Sequence, residues 1–163
     1  MYRILGIDLT ATDGLEASSA QVIVAEIGTD MSKWPTEKHF ASWLGLAPHN
    51  DISGGKVLRS KPLKGNRRAA QALRLAAQTL GRTQTALGSY YRRLRTRKGP
   101  THAITATAHK LARILYHVLK HRTPYHPQSQ ETYDHDLRQR AIGHLKRTAT
   151  RLGFTLLPHP GAA

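Results

Sequence analysis

The feature that most constrains this fold is a stripe of small apolar residues in the middle of the chain. Between about residues 66 and 80, apolar positions recur three and four residues apart, as they do on one face of an α-helix. The positions are Ala69, Ala72, Leu73, Ala76, Ala77 and Leu80. Because most of them are alanines, a neighbouring helix can approach closely. The stripe predicts a tightly packed helix, with Asn66 as its N-cap.

Two further helices are predicted downstream of this stripe. One spans about residues 84–96, and the other runs from its N-cap Thr101 to Lys120. The longer helix is expected to bury Ile104, Ala108, Leu111, Leu115 and Val118. Three helices of this kind form a small bundle. Since no segment has a convincing strand pattern, the predicted fold class is all-α.

The N-terminal segment is expected to form a helix-hairpin-helix. Its helices would span about residues 5–12 and 16–27, joined by a turn at Asp13-Gly14. In such a motif the amide groups of the turn face a DNA phosphate. Asp13 and Glu16 would repel that phosphate, so a purely structural hairpin remains an equal alternative.

On this interpretation the chain has three parts. Residues 1–34 hold the helix-hairpin-helix and a connector, and residues 35–122 hold the helical domain. Residues 123–163 hold a linker, a helix with few apolar positions and a weakly structured tail. The middle part would begin with a short helix that has Thr36 as its N-cap and places in the core Phe40, Trp43 and Leu44.

The charge of the chain is unevenly distributed. Its 163 residues have a formal net charge of +15. Residues 52–130, however, contain 17 Lys and Arg residues and no acidic residue. A surface that serves only solubility mixes the two signs. A field of one sign over this length indicates a polyanionic partner, and nucleic acid is favoured because no basic amphipathic helix has the large aromatic residues of a membrane binder.

Composition excludes other classes of protein. A chain without cysteine has neither disulfides nor cysteine-ligated zinc. The apolar start is interrupted at Asp8, which argues against a signal peptide, and no run approaches the roughly 18 apolar residues of a membrane span. We therefore expect a cytoplasmic, nucleoid-associated protein with no membrane partner.

A serine followed by two glycines lies near the start of the acid-free stretch. Glycines let backbone amides approach an anion closely, and the cations after Ser53 would neutralise its charge. The residues expected to bind nucleic acid are Lys56, Arg59, Lys61, Lys64, Asn66, Arg67 and Arg68, with Arg92, Arg93 and Arg95 from a later helix. A polar turn that only joins two helices is the alternative.

Three motifs follow one another in this part of the chain: Trp43-Leu44-Gly45-Leu46-Ala47-Pro48, Ser53-Gly54 and Gly65-Asn66-Arg67-Arg68. Together they resemble the C-terminal transposase domain of the insertion-sequence 110 family, in a likeness that runs from about Leu5 to Tyr125. The resemblance implies a DNA recombinase with a composite active site, in which Ser53 is the nucleophile. A RuvC-like half with four acidic residues would bind magnesium. That half is absent here, so the chain looks like half of an enzyme.

The resemblance also implies a function and a set of partners. The function is DNA transposition through a phosphoserine link to DNA. The partners would be the DNA of the element ends and target, a RuvC-like half or a full-length transposase, further copies of the chain and, in some members, a structured guide RNA. The chain itself would bind no cofactor. The alternative is a non-catalytic DNA- or RNA-binding module that remains from a degraded mobile element.

Two other patterns suggest chemistry. His117 and His121 have the spacing of a zinc-binding pair, but no cysteine or neighbouring carboxylate completes a ligand set. Tyr90 and Tyr91 raise the possibility of a tyrosine recombinase, although adjacent tyrosines on an amphipathic helix more often pack. Asp51 alone cannot form a carboxylate cage for a metal. No metal site is therefore predicted.

Overall fold

The computed structural model of the chain describes residues 6–62 and 67–157. These ranges hold six α-helices and one antiparallel two-stranded sheet. In chain order the elements are α1 (Ala17–Ile27), α2 (Glu37–Trp43), β1 (Pro48–Ser53), β2 (Lys56–Pro62), α3 (Arg68–Thr79), α4 (Ala86–Lys98), α5 (Pro100–His121) and α6 (Gln130–Arg151). Short 3-10 turns lie at Leu9–Ala11 and Leu80–Arg82. None of the helices in the described ranges is long and apolar enough to cross a membrane.

The core forms where α3 and α5 pack together. Helix α5 also packs against α2 and α4, and α3 also packs against α1. The predicted small-residue stripe of α3 is confirmed, since all six of its positions are buried. On α5 the predicted apolar face is buried except at Ile104, which is half-buried. The pattern of small residues therefore placed the central helix pair correctly.

Two helix starts differ from the predicted ones. The N-cap of α3 is Arg67, without a side-chain cap bond, and Asn66 lies outside the described residues. The carboxylate of Glu26 in α1 accepts a hydrogen bond from the amide of Ala69 at 2.5 Å, which favourably places negative charge at a helix N-terminus. Helix α5 starts at Pro100, because proline suits the first helical position, and Gly99 rather than Thr101 is its N-cap.

The helix-hairpin-helix is not confirmed. Upstream of α1, the described residues hold only the 3-10 turn Leu9–Ala11. The turn at Asp13-Gly14 packs against the body, since a Cβ on Gly14 would lie 2.8 Å from Leu80 Cγ. Asp13 is half-buried, and burial raises the pKa of its carboxyl, against the opposing effect of a hydrogen bond from Thr85. This packing favours the structural interpretation of the segment over a DNA-binding one.

The all-α fold class is wrong in one respect, because β1 and β2 form a hairpin. Both faces of β1 are exposed, so the sequence lacks the apolar alternation of a half-buried strand. Asp51 pairs with Arg59 and Ile52 with Val57, which leaves Leu58 as an extra residue in a β-bulge. The Gly-Gly pair was the available signal, because two such residues between short strands favour a tight hairpin.

The predicted helix with few apolar positions in residues 123–163 is confirmed, and the last part of the predicted weakly structured tail, residues 158–163, lies outside the described residues. Residues 130–151 form the 22-residue helix α6, which starts at the N-cap Ser129 and packs against α4. Tyr133 is its one buried residue. Few apolar positions therefore suffice for α6, because its first turns lie on the body. Beyond the helix, residues 152–157 are exposed.

Candidate active site and nucleic-acid interface

Ser53 lies at the tip of the β1–β2 hairpin. It pairs with Lys56 in the antiparallel register, and Gly54 and Gly55 form the two-residue turn between them. Both glycines have positive φ, +55° and +75°, as a type I′ turn requires. The geometry of the turn thus explains the Gly-Gly pair, and it places the exposed serine directly beside the turn.

The hairpin projects from the helical body. Every residue from 48 to 60 is exposed, including the apolar side chains of Ile52 (64% exposed), Val57 (54%) and Leu58 (71%). Within the described part of the chain, the Ser53 hydroxyl forms no hydrogen bond. Ser53 is therefore accessible to a large substrate, but no neighbouring group seen here activates it.

Two cations flank the serine on β2. Lys56 is its direct partner across the turn, and Arg59 lies opposite Asp51. The carboxylate of Asp51 is also 3.5 Å from His49 Nε2, so one acid offsets part of the positive charge of the hairpin. Of the other predicted residues, Lys61 lies in β2 with only its backbone described, and Lys64 lies, like Asn66, outside the described residues.

Arg67 and Arg68 have different surroundings despite being adjacent. The guanidinium of Arg67 stacks on Trp43, 3.9 Å from the ring centroid, and its Nε donates to the Trp43 carbonyl at 2.7 Å. Arg68 is exposed and borders a groove of about 420 Å³ beside Glu26. Arg67 therefore ties the start of α3 to α2, whereas Arg68 faces solvent.

Two of the three predicted cations of α4, Arg92 and Arg93, form hydrogen bonds within the protein. Arg92 donates to the carbonyls of Gly81 and Thr83, at 3.3 and 2.7 Å, and to Gln130 Oε1 at 3.2 Å. Arg93 donates to the hydroxyl of Tyr133 at 3.3 Å. Arg95 is exposed. These bonds give Arg92 and Arg93 structural roles that sequence reasoning missed, while their contact with nucleic acid stays a prediction.

A groove of about 550 Å³ runs between the base of the hairpin and the α4–α5 turn. Its lining includes Pro48 and Ser60 of the hairpin together with Tyr90, Lys98, His102 and His109. Burial, with the nearby charge of Arg113, lowers the pKa of His109 and so favours the neutral imidazole, while Glu37 acts in the opposite direction. Sequence reasoning did not single out Lys98, His102 or His109, although all three belong to the acid-free stretch.

The tyrosine and histidine alternatives have structural explanations. Tyr91 is buried, and its ring packs against Gly81. A Cβ on Gly81 would lie 2.8 Å from the Tyr91 ring. Burial raises the pKa of Tyr90 and so favours its protonated form. His117 hydrogen-bonds to Glu37 at 2.5 Å, 80 residues away in sequence. No group of three His or acidic side chains suited to a metal occurs within the described residues, so these residues do not fit the magnesium implied by the resemblance.

Comparison with known proteins identifies relatives for most of this region. The family described as Transposase IS116/IS110/IS902 matches residues 8–92, a range that includes the Ser53 hairpin and α3. A Streptomyces coelicolor protein described as "Insertion element IS110 uncharacterized 43.6 kDa protein" is 33% identical over 119 residues, which are 72% of this chain and 29% of that protein. A "Probable family 20 transposase" of Pseudomonas aeruginosa is 30% identical over 132 residues, 73% of this chain and 36% of that protein. The chain thus spans about a third of the length of these relatives.

Proposed function

Since the chain belongs to the IS116/IS110/IS902 family of transposases, we propose that it takes part in DNA transposition with Ser53 as the nucleophile. The observation that supports this role best is the position of Ser53 at the tip of an exposed hairpin, directly opposite Lys56. A nucleophile that attacks duplex DNA must reach a backbone phosphate without a clash from its own domain. A projecting two-residue turn meets that requirement.

The proposed step is a substitution at phosphorus. Ser53 Oγ forms a bond to the phosphorus of a phosphodiester, and the bond from phosphorus to the leaving DNA oxygen breaks. The hydroxyl proton passes to a base, and the leaving oxygen takes up a proton. Lys56 and Arg59 would stabilise the negative charge on the phosphate oxygens during this transfer. The product is a phosphoserine link to one side of the broken DNA strand. The other side of the break ends in a free hydroxyl.

The proposal requires an activating group from elsewhere. A serine hydroxyl is a weak nucleophile unless a base or a metal activates it, and the described residues place neither a carboxylate nor a histidine in hydrogen-bond contact with Ser53. We propose that a RuvC-like half provides that group through its acidic residues. The family resemblance also leads us to propose two other partners, which are further copies of the chain and a structured guide RNA.

The second candidate function is a non-catalytic DNA- or RNA-binding module. The lack of an activating contact to the Ser53 hydroxyl among the described residues favours it, because binding through Lys56 and Arg59 needs no nucleophile. The two functions differ in one observable. A module binds nucleic acid with a salt-dependent affinity and forms no covalent product, whereas a nucleophile leaves a protein–DNA adduct that survives denaturation.

The test compares Ser53→Ala with Ser60→Ala, which removes a second exposed hydroxyl from the same hairpin. Each chain is supplied with a RuvC-like half of a related transposase, any guide RNA that half requires and labelled element-end DNA. We expect the wild type and Ser60→Ala to form an adduct on denaturing gels, and Ser53→Ala to form none while its DNA affinity is nearly unchanged. An adduct in Ser53→Ala would move the nucleophile elsewhere, with Tyr90 the first residue to test. Salt-dependent binding without any adduct would favour the module.

A further inference from the structure

Lys110 of α5 lies between two tyrosine rings. Its Nζ is 4.5 Å from the ring centroid of Tyr90 in α4 and 5.5 Å from that of Tyr133 in α6. Within the described residues, its ammonium group forms no hydrogen bond or ion pair. The side chain is half-buried, and burial together with neighbouring positive charges lowers its pKa. Lys110 is thus a partly shielded charged group that has no anionic partner among the described residues.

Arg93 contacts the same tyrosines, and Arg140 adds a further positive charge that acts on Lys110. Arg93 of α4 bonds to the Tyr133 hydroxyl, and its guanidinium lies 5.9 Å from the Tyr90 centroid. Its Nε is buried without a partner in the described part of the protein. Arg140 follows Tyr133 by seven residues, which places both on one face of α6, and its charge also acts on Lys110. Three helices therefore bring three cations together.

Among the described residues, no acidic side chain forms an ion pair with Lys110, Arg93 or Arg140. Asp136 of α6 is the nearest acid in sequence to Tyr133 and Arg140 on their face of the helix. Its carboxylate accepts a hydrogen bond from the neutral amide of Gln128 at 3.2 Å, and within the described residues it forms no ion pair with Lys110, Arg93 or Arg140. Arg113, which also acts on Lys110, already has an ion pair with Glu37. Repulsion between like charges on half-buried side chains such as Lys110 and Arg93 opposes folding, and charged groups under such a perturbation are typical of a binding site.

Lys120 of the same helix shows the contrast. Its Nζ lies 5.0 Å from the Tyr116 centroid, so it too contacts an aromatic ring. Unlike Lys110, it donates to the Pro35 carbonyl at 3.0 Å and to the Tyr116 hydroxyl at 2.5 Å. The bonds of Lys120 join α5 to the residue pair before α2, whereas Lys110 makes no such bond to any residue that the structure describes. One lysine therefore has a structural role that the other lacks.

We propose that Lys110, Arg93 and Arg140 form a site for a phosphodiester group of a nucleic-acid backbone. This proposal rests on the proposed function, because its ligand is a nucleic acid. The site itself is separate from the Ser53 hairpin. A phosphate oxygen would accept from the ammonium of Lys110 and from the guanidinium of Arg140, while Arg93, fixed by Tyr133, adds positive charge. The anion would relieve the repulsion among the three cations.

The position of Tyr90 favours a nucleic acid over a small anion. Its ring contacts Lys110 and also lines the groove that starts at the hairpin base, beside Lys98 and His102. Positive and aromatic side chains therefore continue from the hairpin through the groove to Lys110. A polymer with evenly spaced phosphates can occupy such a path, and no acidic residue lies in the sequence from Ile52 to Gln130 to oppose it.

The test compares Lys110→Met with Lys120→Met in the full chain. Each variant removes one positive charge from α5 beside a tyrosine. A general effect of lower net charge should therefore be the same in both variants. Binding of duplex DNA and of a hairpin RNA is measured by fluorescence anisotropy at several salt concentrations. We expect Lys110→Met to weaken binding on the order of tenfold and to reduce the log–log salt slope by about 0.9 for DNA. Lys120→Met should leave the slope unchanged.

A second readout separates a binding residue from a structural one. Without ligand, Lys110→Met should raise the thermal unfolding midpoint, because it removes a repelled cation, and Lys120→Met should lower it. Inorganic phosphate should raise the midpoint of the wild type more than that of Lys110→Met. If Lys110→Met folds poorly, Arg140→Gln on the exposed side of the site replaces it, with Arg147→Gln, two turns further along α6, as its control.

The outcomes distinguish the two proposals. A loss of affinity for only one of the two nucleic acids would identify which backbone occupies the site. Equal binding by Lys110→Met and Lys120→Met would overturn the site while leaving the Ser53 proposal intact. So would a Lys110→Met variant that is destabilised but binds normally. A wild-type chain that binds neither nucleic acid at low salt would overturn the proposed function together with the site.

Discussion

The hairpin and the helical body use their residues in opposite ways. From residue 48 to residue 60 no described side chain is buried, and the turn depends on two glycines with positive φ. In the body, by contrast, the apolar faces of α3 and α5 are almost completely buried. The nucleophile candidate therefore lies on a segment that contributes little to the core. A change in the hairpin should therefore leave the fold of the body intact.

The same contrast divides the cations. Lys56 and Arg59 are exposed on the hairpin, whereas Arg67 and Arg92 of the body form several bonds to carbonyls and aromatic rings. All four contribute equally to the net charge of the chain. Formal charge alone therefore overstates the number of cations that are available to a phosphate.

Core truncation should separate the regions most clearly. Leu115 in α5 is completely buried, so Leu115→Ala should cost about 2–5 kcal/mol in free energy of unfolding. Leu58→Ala on the hairpin removes the same atoms from an exposed site and should cost less than about 0.5 kcal/mol. Chemical denaturation measures both. A similar cost at the two positions would show that the hairpin packs against the body.

The second largest effect is expected at two glycines that are needed for different reasons. In Gly88→Ala the new Cβ would lie 2.8 Å from the Leu80 carbonyl and closer still to that of Thr83, so we expect a loss of about 1–3 kcal/mol in global stability. Gly54→Ala meets no atom within 4 Å but keeps a φ of +55°.

Because that strain is local, Gly54→Ala should leave the denaturation midpoint nearly unchanged and speed amide hydrogen exchange in β1 and β2. A large fall in global stability for Gly54→Ala would contradict the independence of the hairpin, and normal stability of Gly88→Ala would show that the α4 start can shift.

The cations give the third test. Arg92→Gln removes charge-assisted bonds to Thr83 and Gln130 and should cost about 1.5–3 kcal/mol in stability. Lys56→Gln removes the same charge and should change stability by less than about 0.5 kcal/mol, yet lower the DNA salt slope by about 0.9 if it contacts one phosphate. Denaturation and salt titration of both variants decide. A reversed pattern would mean that Lys56 is structural.

The smallest effect is a pH dependence that belongs to the body. A hydrogen bond from Arg113 and, more weakly, one from His117 lower the pKa of Glu37, although partial burial opposes them. Because the pKa is lower in the folded state, the ionised carboxylate stabilises the fold. This stability is fully present at pH values above the ordinary carboxyl pKa of 4.5, and it is lost as the pH falls through the lowered pKa. Because Arg113 is half exposed, Glu37→Gln should cost no more than about 1 kcal/mol at pH 7.

The wild-type and Glu37→Gln curves of stability against pH should therefore converge in acid. Glu131→Gln, which removes an exposed acid in the first turn of α6, is the control for charge alone. Parallel curves for the wild type and Glu37→Gln down to pH 2 would show that the Arg113 and His117 contacts add nothing.

Much of this protein could be predicted from local patterns. The period of the apolar residues located α3 and α5 and their buried faces, because a helix repeats its surroundings every three to four residues. The order of three short motifs led to the transposase family, and the comparisons confirm it. The hairpin was missed, since strands that are exposed on both faces have no apolar alternation. Only its Gly-Gly turn indicated it.

The tertiary structure alone decided which charged residues have partners. Arg67 lies on Trp43, 24 residues away, Arg93 reaches Tyr133 across 40 residues, and Glu37 meets His117 across 80. Sequence patterns describe neighbours along one helix, whereas these contacts depend on how separate helices pack. For the same reason the sequence determined that the middle of the chain is strongly positive. Only packing decided that, among the described residues, Lys110 lies between two tyrosines without an ion-pair partner while Lys120 bonds to a carbonyl.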